Sequence, residues 1–284
     1  LNDKYILKKG YAFMTGIQAL VRLPIVQRLL DLKSGFNTAG YISGYRGSPL
    51  GGYDQQLKLN QKLLKENKVK FQPGVNEDLA ATALWGTQQA ELRGEGKYDG
   101  IFGIWYGKGP GVDRSGDVFR HANFAGTSKF GGVLALMGDD HTCESSTTCH
   151  QSEFAMVDAM IPILNPSGVQ EIIDYGIIGF SLSRYSGCWV GLKCVHDTVE
   201  STASINVDID RIKIELPQNF NLPSDGLNIR FPDTPQRQEK RMHEDKIEAK
   251  RAFCRKNRLD KIIWNSFNAK IGIVSVGKSY LDTR

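Results

Sequence analysis

The sequence predicts an α/β protein built on a doubly wound, mostly parallel sheet, followed by the start of a second α/β domain. Two observations carry this. Short apolar runs of strand length recur along the chain, and most run into a glycine-rich turn before a segment of helical periodicity. Thirty glycines among 284 residues, with 40% hydrophobic and 24% charged content, fit a turn-rich globular chain and exclude a disordered or fibrous one. No apolar run approaches the roughly 18 residues that span a bilayer. The start, Leu1-Asn2-Asp3-Lys4-Tyr5, has neither an apolar signal core nor a cleavage site, so no membrane contact and a cytoplasmic location are expected. A first residue other than methionine and a last pattern interrupted at Asp282-Thr283-Arg284 lead to the expectation of a fragment.

Residues 10 to 34 read as a helix, with Ile17, Leu20, Val21, Ile25, Leu29 and Leu30 at spacings of three and four and a break or kink at Pro24. Tyr41-Ile42-Ser43 is a short strand. The glycine-rich loop after it, Gly44 to Gly52, carries Arg46 and Ser48 and suits either a small anion such as a carboxylate or a plain tight turn. A polar helix (54–67) and a strand (69–72) lead to a helix opening at Asn76-Glu77-Asp78. Asn76 is a good N-cap, and the two carboxylates lie in the first turn, where the exposed amides and the helix dipole favour them. Taken alone, Glu77 reads as a surface first-turn charge.

Asp99 to Tyr106 is a further strand, and Gly107-Lys108-Gly109-Pro110-Gly111 begins a second glycine-rich loop, extending to Asp117. It is not a phosphate P-loop, because the second glycine lacks the following lysine and serine or threonine. A loop over a ligand and a simple connection both stand. Gly131 to Met137 is the clearest buried strand, and a helix after Gln151, a strand (161–165), a helix (169–184) and a strand (188–195) complete the series. In such sheets ligands bind where loops leave the carboxyl ends of the strands. A strand over 209–216 closes a first domain, residues 1–216. Residues 217–268 form a proline-rich linker and a charged helix, and a strand over 270–277 opens a second domain, residues 269–284.

The net charge of +5 resides between Arg237 and Lys261, where Lys and Arg outnumber Asp and Glu; the rest of the chain is neutral. Both signs mix there at helical spacing around Met242, Ile247, Ala249 and Phe253, so a solvated connecting helix is expected and no nucleic acid. The five cysteines lack the two-residue spacing of common zinc and cluster sites, and free thiols are expected. Gly138-Asp139-Asp140 with Asn165 approximates a magnesium-held diphosphate site. Its third residue is Asp rather than Gly, and Asn165-Pro166-Ser167 reads as a helix start, so no metal is expected. His141 and His150 flank a Ser/Thr-rich loop holding Cys143 and Cys149; a Cys–His nucleophile pair is conceivable, and a polar loop without a covalent role is the preferred reading.

Four segments taken together, Thr15 to Arg22, Tyr41 to Gly52, Asn76 to Ala80 and Tyr106 to Ser115, resemble the amino-terminal part of the large fused-chain indolepyruvate ferredoxin oxidoreductases. These are thiamine-dependent 2-oxoacid oxidoreductases, and the resemblance runs over nearly the whole chain, through Gly277 to Asp282. It implies a pyrimidine-binding domain of the thiamine type, then the start of a transketolase carboxyl-terminal-like domain. The diphosphate-binding half, its magnesium and the [4Fe-4S] clusters are implied to lie outside these residues. By the same resemblance Glu77 falls where the family places the glutamate that bonds the aminopyrimidine ring of thiamine diphosphate, with Asn76, Gly107 and Lys108 beside the cofactor. A carboxyl group in an apolar site can share a proton with the ring nitrogen and favour the imino tautomer, which then deprotonates the thiazolium carbon.

The first glycine loop corresponds to a substrate loop of the family, although this sequence lacks a proline there and adds Tyr45-Arg46. Arg46 and Ser48 are implied as substrate-binding residues. The implied reaction is oxidative decarboxylation of an arylpyruvate to an acyl-coenzyme A, with electrons passed to ferredoxin, in amino acid catabolism. Implied partners are ferredoxin, the remaining domains of the same enzyme and a second copy in a homo-oligomer. The rivals are a thiamine-dependent decarboxylase of other 2-oxoacids and a non-catalytic relative that keeps the fold for assembly or regulation.

Overall fold

The computed structural model describes residues 2–284. The chain runs through α1 (Asp3–Ile6), β1 (Tyr11–Thr15), α2 (Gly16–Lys33), β2 (Ala39–Gly44), α3 (Gly51–Leu59), α4 (Gln61–Glu66), β3 (Val69–Phe71), α5 (Glu77–Thr87) and β4 (Ile101–Lys108). It continues with α6 (Gly109–Arg114), α7 (Gly116–Ala125), β5 (Val133–Asp139), α8 (Ser152–Asp158), β6 (Ile163–Leu164), α9 (Val169–Ser186), β7 (Val190–Val195), α10 (His196–Val199) and β8 (Thr202–Asn206). After irregular chain come α11 (Pro235–Arg241), α12 (Ile247–Lys256) and α13 (Lys278–Thr283).

Six strands form one parallel sheet in the order β3-β2-β4-β5-β7-β6, the doubly wound α/β architecture expected. Alternation along the strands splits the core. Ile42, Phe102, Ile104, Leu134, Leu136, Val190 and Leu192 pack on one face with α2 and α9. Trp105, Val133, Ala135, Met137 and Trp189 pack on the other with α5, α7 and α8. Helices on both faces explain why the central strands are apolar nearly throughout. A separate ribbon joins β1 and β8 antiparallel.

Several expectations are corrected. The first turn of the expected helix at residues 10 to 34 is β1, because Ala12 and Met14 alternate inward with Tyr11 and Phe13 outward. Thr15 then caps α2 through a reciprocal box with Gln18, and α2 runs through Pro24 unbroken. The expected strand at 209–216 is not formed. Its start is a 3₁₀ turn, held by the Asp208 side chain accepting the Asp210 N–H, and the strand that pairs with β1 lies earlier, at β8. The strand expected at 270–277 is also not formed; Ile271, Ile273 and Val274 are exposed and no neighbouring strand takes their backbone groups. α9 starts after Gly168 rather than at an Asn165 cap, with the Ser167 N–H and hydroxyl both donating to Glu171.

The charged helix is not a solvated connector. α11 and α12 are joined by a π-turn, Met242–Lys246, and pack on the sheet domain. Lys246 is fully buried, and its ammonium donates to the carbonyls of Asn123, Phe124 and Gly187, at the carboxyl ends of α7 and α9. Those carbonyls have no intrahelical donor, and a lysine arriving from another helix satisfies them. Burial lowers the Lys246 amine to about 8, a cost the three hydrogen bonds offset in part. Arg241 grips Asp233 in a buried bidentate pair, and Phe253 meets Tyr185. Among the described residues no helix is long and apolar enough to cross a membrane.

Candidate functional site

The chain winds outward from β2 to β3, then crosses back to place β4 on the other side of β2. The loops leaving β2 and β4 therefore diverge, and the carboxyl edge between them is the switch point at which such sheets bind ligands. Backbone bonds tie this edge together: Gly74 N donates to Gly44 O at 2.9 Å and Tyr45 N to Tyr106 O at 3.0 Å. Asn76 caps α5 by accepting the Leu79 N–H at 2.9 Å. Glu77 follows as the first residue of α5 and is 7% exposed, so it is not the surface charge that its position alone suggested.

The wall facing Glu77 is made of β4 and α6. Trp105 Nε1–H donates to the Glu77 carbonyl at 3.1 Å. A Cβ at Gly107 would lie 3.4 Å from Glu77 Cγ, and one at Gly111 would lie 2.6 Å from Cγ and 2.8 Å from Oε1. At Gly111 only glycine leaves the carboxylate its place, whereas a side chain at Gly107 would meet the Trp105 ring at 2.6 Å. Arg114, at the end of α6, is the nearest cation, with Nη1 3.7 Å from Glu77 Oε2 and Nε 3.8 Å from Asp78 Oδ2. Among the described residues the Glu77 carboxylate takes no hydrogen bond from a protein donor, which leaves it acceptor capacity.

A second group of contacts gathers around Ser145, in the loop after β5. Ser145 Oγ accepts the Ser48 N–H at 3.0 Å, and its carbonyl accepts Lys108 Nζ at 2.9 Å. Asp140 shapes this loop by accepting the N–H groups of Glu144, Ser145 and Ser146 at 3.0 to 3.1 Å. Burial works against that carboxylate, but the three amides outweigh it and hold Asp140 below the usual range. Asp139 takes the N–H and hydroxyl of Ser152 and lies 3.4 Å from Lys193 Nζ. His150 Nε2 is 3.0 Å from Asp113 Oδ2. Among the described residues no three His, Cys, Asp or Glu side chains converge as a metal site.

The structure therefore brings Glu77 together with Gly107, and Ser48 together with Lys108 through Ser145. Arg46 stands exposed on the same edge, and the buried Tyr106 hydroxyl donates to Asp54. The Asn76 side-chain oxygen and the Lys108 ammonium are both engaged by protein groups. Sequence reasoning missed Gly111, Arg114 and Ser145. The first two sit on α6, in a stretch taken for loop; Pro110 beside Gly109 is a helix-start signal that could have revealed it.

No family model matches the chain. In sequence it is 23% identical over 274 residues to the indolepyruvate oxidoreductase subunit IorA of Methanothermobacter thermautotrophicus, covering 94% of this chain and 39% of that protein. It is 26% identical over 172 residues to IorA of Methanothermobacter marburgensis, covering 61% of this chain and 24% of that protein. The chain thus spans well under half the length of the curated relatives it matches. In fold it is similar to a 2-oxoglutarate:ferredoxin oxidoreductase from Magnetococcus marinus solved with 2-oxoglutarate, coenzyme A and succinyl-CoA bound, with a TM-score of 0.58, 14% identity, and coverage of 86% of this chain and 45% of that one. The resemblance drawn from the motifs, to the 2-oxoacid:ferredoxin oxidoreductases, is matched by both comparisons.

Proposed function

We propose that this chain supplies the pyrimidine-binding part of a thiamine diphosphate-dependent 2-oxoacid:ferredoxin oxidoreductase, with Glu77 as the carboxylate that faces the aminopyrimidine ring. The observation that carries the reading is the buried Glu77 side chain at the sheet's switch point, seated in a notch cleared by Gly111 and free of protein hydrogen-bond donors. Its residues fit the cofactor: a carboxylate with open acceptor positions, in a wall of glycine backbone and indole, suits a flat ring bearing N–H groups.

When bound, thiamine diphosphate supplies a thiazolium carbon that takes up the electron pair left as a 2-oxoacid loses carbon dioxide. The chain's own residues prepare that step. Glu77 would hold a proton at a ring nitrogen of the pyrimidine, and Trp105 and Asn76 fix the backbone from which Glu77 projects. Arg114, 3.7 Å from Glu77 Oε2, flanks the carboxylate without closing the notch. Arg46, on the exposed loop, meets the substrate carboxylate, and Ser48 with Lys108 holds the loop after β5 in position.

Indolepyruvate is the proposed substrate, from the names of the two curated relatives. Coenzyme A as acyl acceptor, ferredoxin as electron acceptor, magnesium and [4Fe-4S] clusters are assigned to other parts of a cytoplasmic homo-oligomeric enzyme. The test is deuterium exchange at the thiazolium carbon of cofactor bound to the holoenzyme. Glu77→Gln should slow it by about 100-fold or more, the scale of a lost general acid–base group; an unchanged rate would reject the assignment.

A further inference from the structure

The loop after β5 carries chemistry that the proposed reaction does not use. Cys143 and Cys149 are both exposed, and their Sγ atoms lie 3.7 Å apart. Closure to the S–S distance of a disulfide requires an approach of under about 2 Å. The loop is built to hold them there. Asp140 gathers the amides of residues 144 to 146 on one side of the ring, Cys149 Sγ donates to the His141 carbonyl on the other, and Cys143 takes a left-handed turn at φ +55°. The remaining cysteines are set apart, Cys188 and Cys194 buried and Cys254 half-buried. Both exposed thiols therefore face the same solvent and each other.

The geometry points to a dithiol site: Cys143 and Cys149 form a reversible intramolecular disulfide by exchange with a disulfide of low molecular mass. Contact with the Cys149 sulfur is the main cause that raises the Cys143 thiol, and exchange opened at either sulfur has the same balance. The Cys149 thiolate attacks one sulfur of the external disulfide, forming a mixed disulfide and expelling one thiolate. Cys143 then loses its proton and attacks Cys149 Sγ, forming the internal bond and expelling the second thiolate. Two electrons and two protons leave the protein, and the external disulfide becomes two thiols. The ring so closed includes Ser145, the residue that joins Ser48 to Lys108, so the redox state of the pair is written into the wall of the candidate site.

Bis(2-pyridyl) disulfide, added in small excess to the whole chain, reports each step through the release of pyridinethione. The expected result is two thiones per chain, no retained adduct, a mass lower by about 2 Da, and a peptide cross-linked between Cys143 and Cys149 that dithiothreitol opens. Cys143→Ser should release one thione and retain a stable adduct on Cys149, while Cys254→Ser should behave as the parent. Stable adducts on both thiols of the parent chain, or a link between two chains, would overturn the proposal. A far-UV spectrum of Cys143→Ser matching the parent keeps its result interpretable, and the parent result stands independently of it.

Discussion

The indole N–H of Trp105 is donated to the backbone carbonyl of Glu77 across 3.1 Å, from a ring that is wholly buried and edge-on to Phe119 at 4.9 Å. A side chain from the middle of β4 thereby fixes the first turn of α5. Trp105→Phe keeps most of the packing and removes the donor, leaving that carbonyl short of a partner. Urea unfolding should show a loss of about 1 to 3 kcal/mol, and thiazolium exchange in the holoenzyme should slow as Glu77 loses its footing. Stability equal to the parent would mean that water replaces the indole.

Gly111 leaves no room beside Glu77. Gly111→Ala gains helix propensity of up to about 1 kcal/mol, against an overpacking cost of about 1 to 3 kcal/mol. The net expectation is a small loss of stability together with a displaced carboxylate. Thiazolium exchange should fall by at least about 10-fold, as expected of a misplaced catalytic group. Gly86→Ala, also in a helix and with nothing near the added methyl, is the control that should gain up to about 1 kcal/mol of stability and leave thiazolium exchange in place.

Asn76 is a cap before it is anything else. Asn76→Ala should cost about 1 kcal/mol of stability, and Asn76→Ser should restore most of it, since serine caps equally well. Cofactor affinity measured by calorimetry separates the two roles. A serine variant that is stable but binds thiamine diphosphate more weakly would show the amide touching the cofactor; equal affinity would confine Asn76 to the helix end.

Arg46 is exposed, so its removal should leave stability within about 0.5 kcal/mol of the parent. Steady-state kinetics of the holoenzyme should show KM for the 2-oxoacid rising about 10-fold or more with kcat less affected, as for a charged hydrogen bond to substrate. Unchanged KM and turnover would remove Arg46 from the site.

Lys246 makes stability depend on pH. Its amine sits at about 8 in the folded chain and at 10.5 when exposed. Between those values the unfolded chain holds a proton that the folded chain has released, so raising the pH favours folding. The slope is at most about 1.4 kcal/mol per pH unit for one proton. Urea titrations from pH 7.5 to 10 should show this rise for the parent chain relative to Lys246→Met, in which it is absent. The methionine variant should also be less stable at pH 9, because the Asn123 and Phe124 carbonyls lose the N–H groups of the amine, while Gly187 O keeps the Thr127 N–H.

The parallel sheet was legible because its strands are apolar on both faces and end in glycines, a pattern that β5 with Val133 to Met137 shows most plainly. The end of α5 was legible from Asn76 and the two carboxylates. α6 was not, since Gly109, Pro110 and Gly111 suggest loop by composition, and their helical form depends on packing against β4. β8 was hidden for a related reason. Thr202 to Asn206 is mostly polar, and its partner β1 lies almost two hundred residues earlier. Conversely, Ile271 to Val276 has the apolar character of a strand and no neighbour to pair with, so propensity alone misled there. The burial of Lys246 was illegible in principle: helical periodicity shows which side a residue occupies, not whether a carbonyl waits on it.

The crossing of the chain from β3 back over β2 has a kinetic consequence. β2 can pair with β3 after closing a short connection, with Ile42 opposite Phe71. β4 must close a far longer one to set Ile104 beside Ile42, and only then do Gly107 and Gly111 reach Glu77. Contacts of long sequence separation carry most of the loop-closure entropy and form late. The notch is therefore complete only once β4 has docked on β2, and a chain with β2, β3 and α5 in place but β4 undocked would present Glu77 to water with its wall still missing.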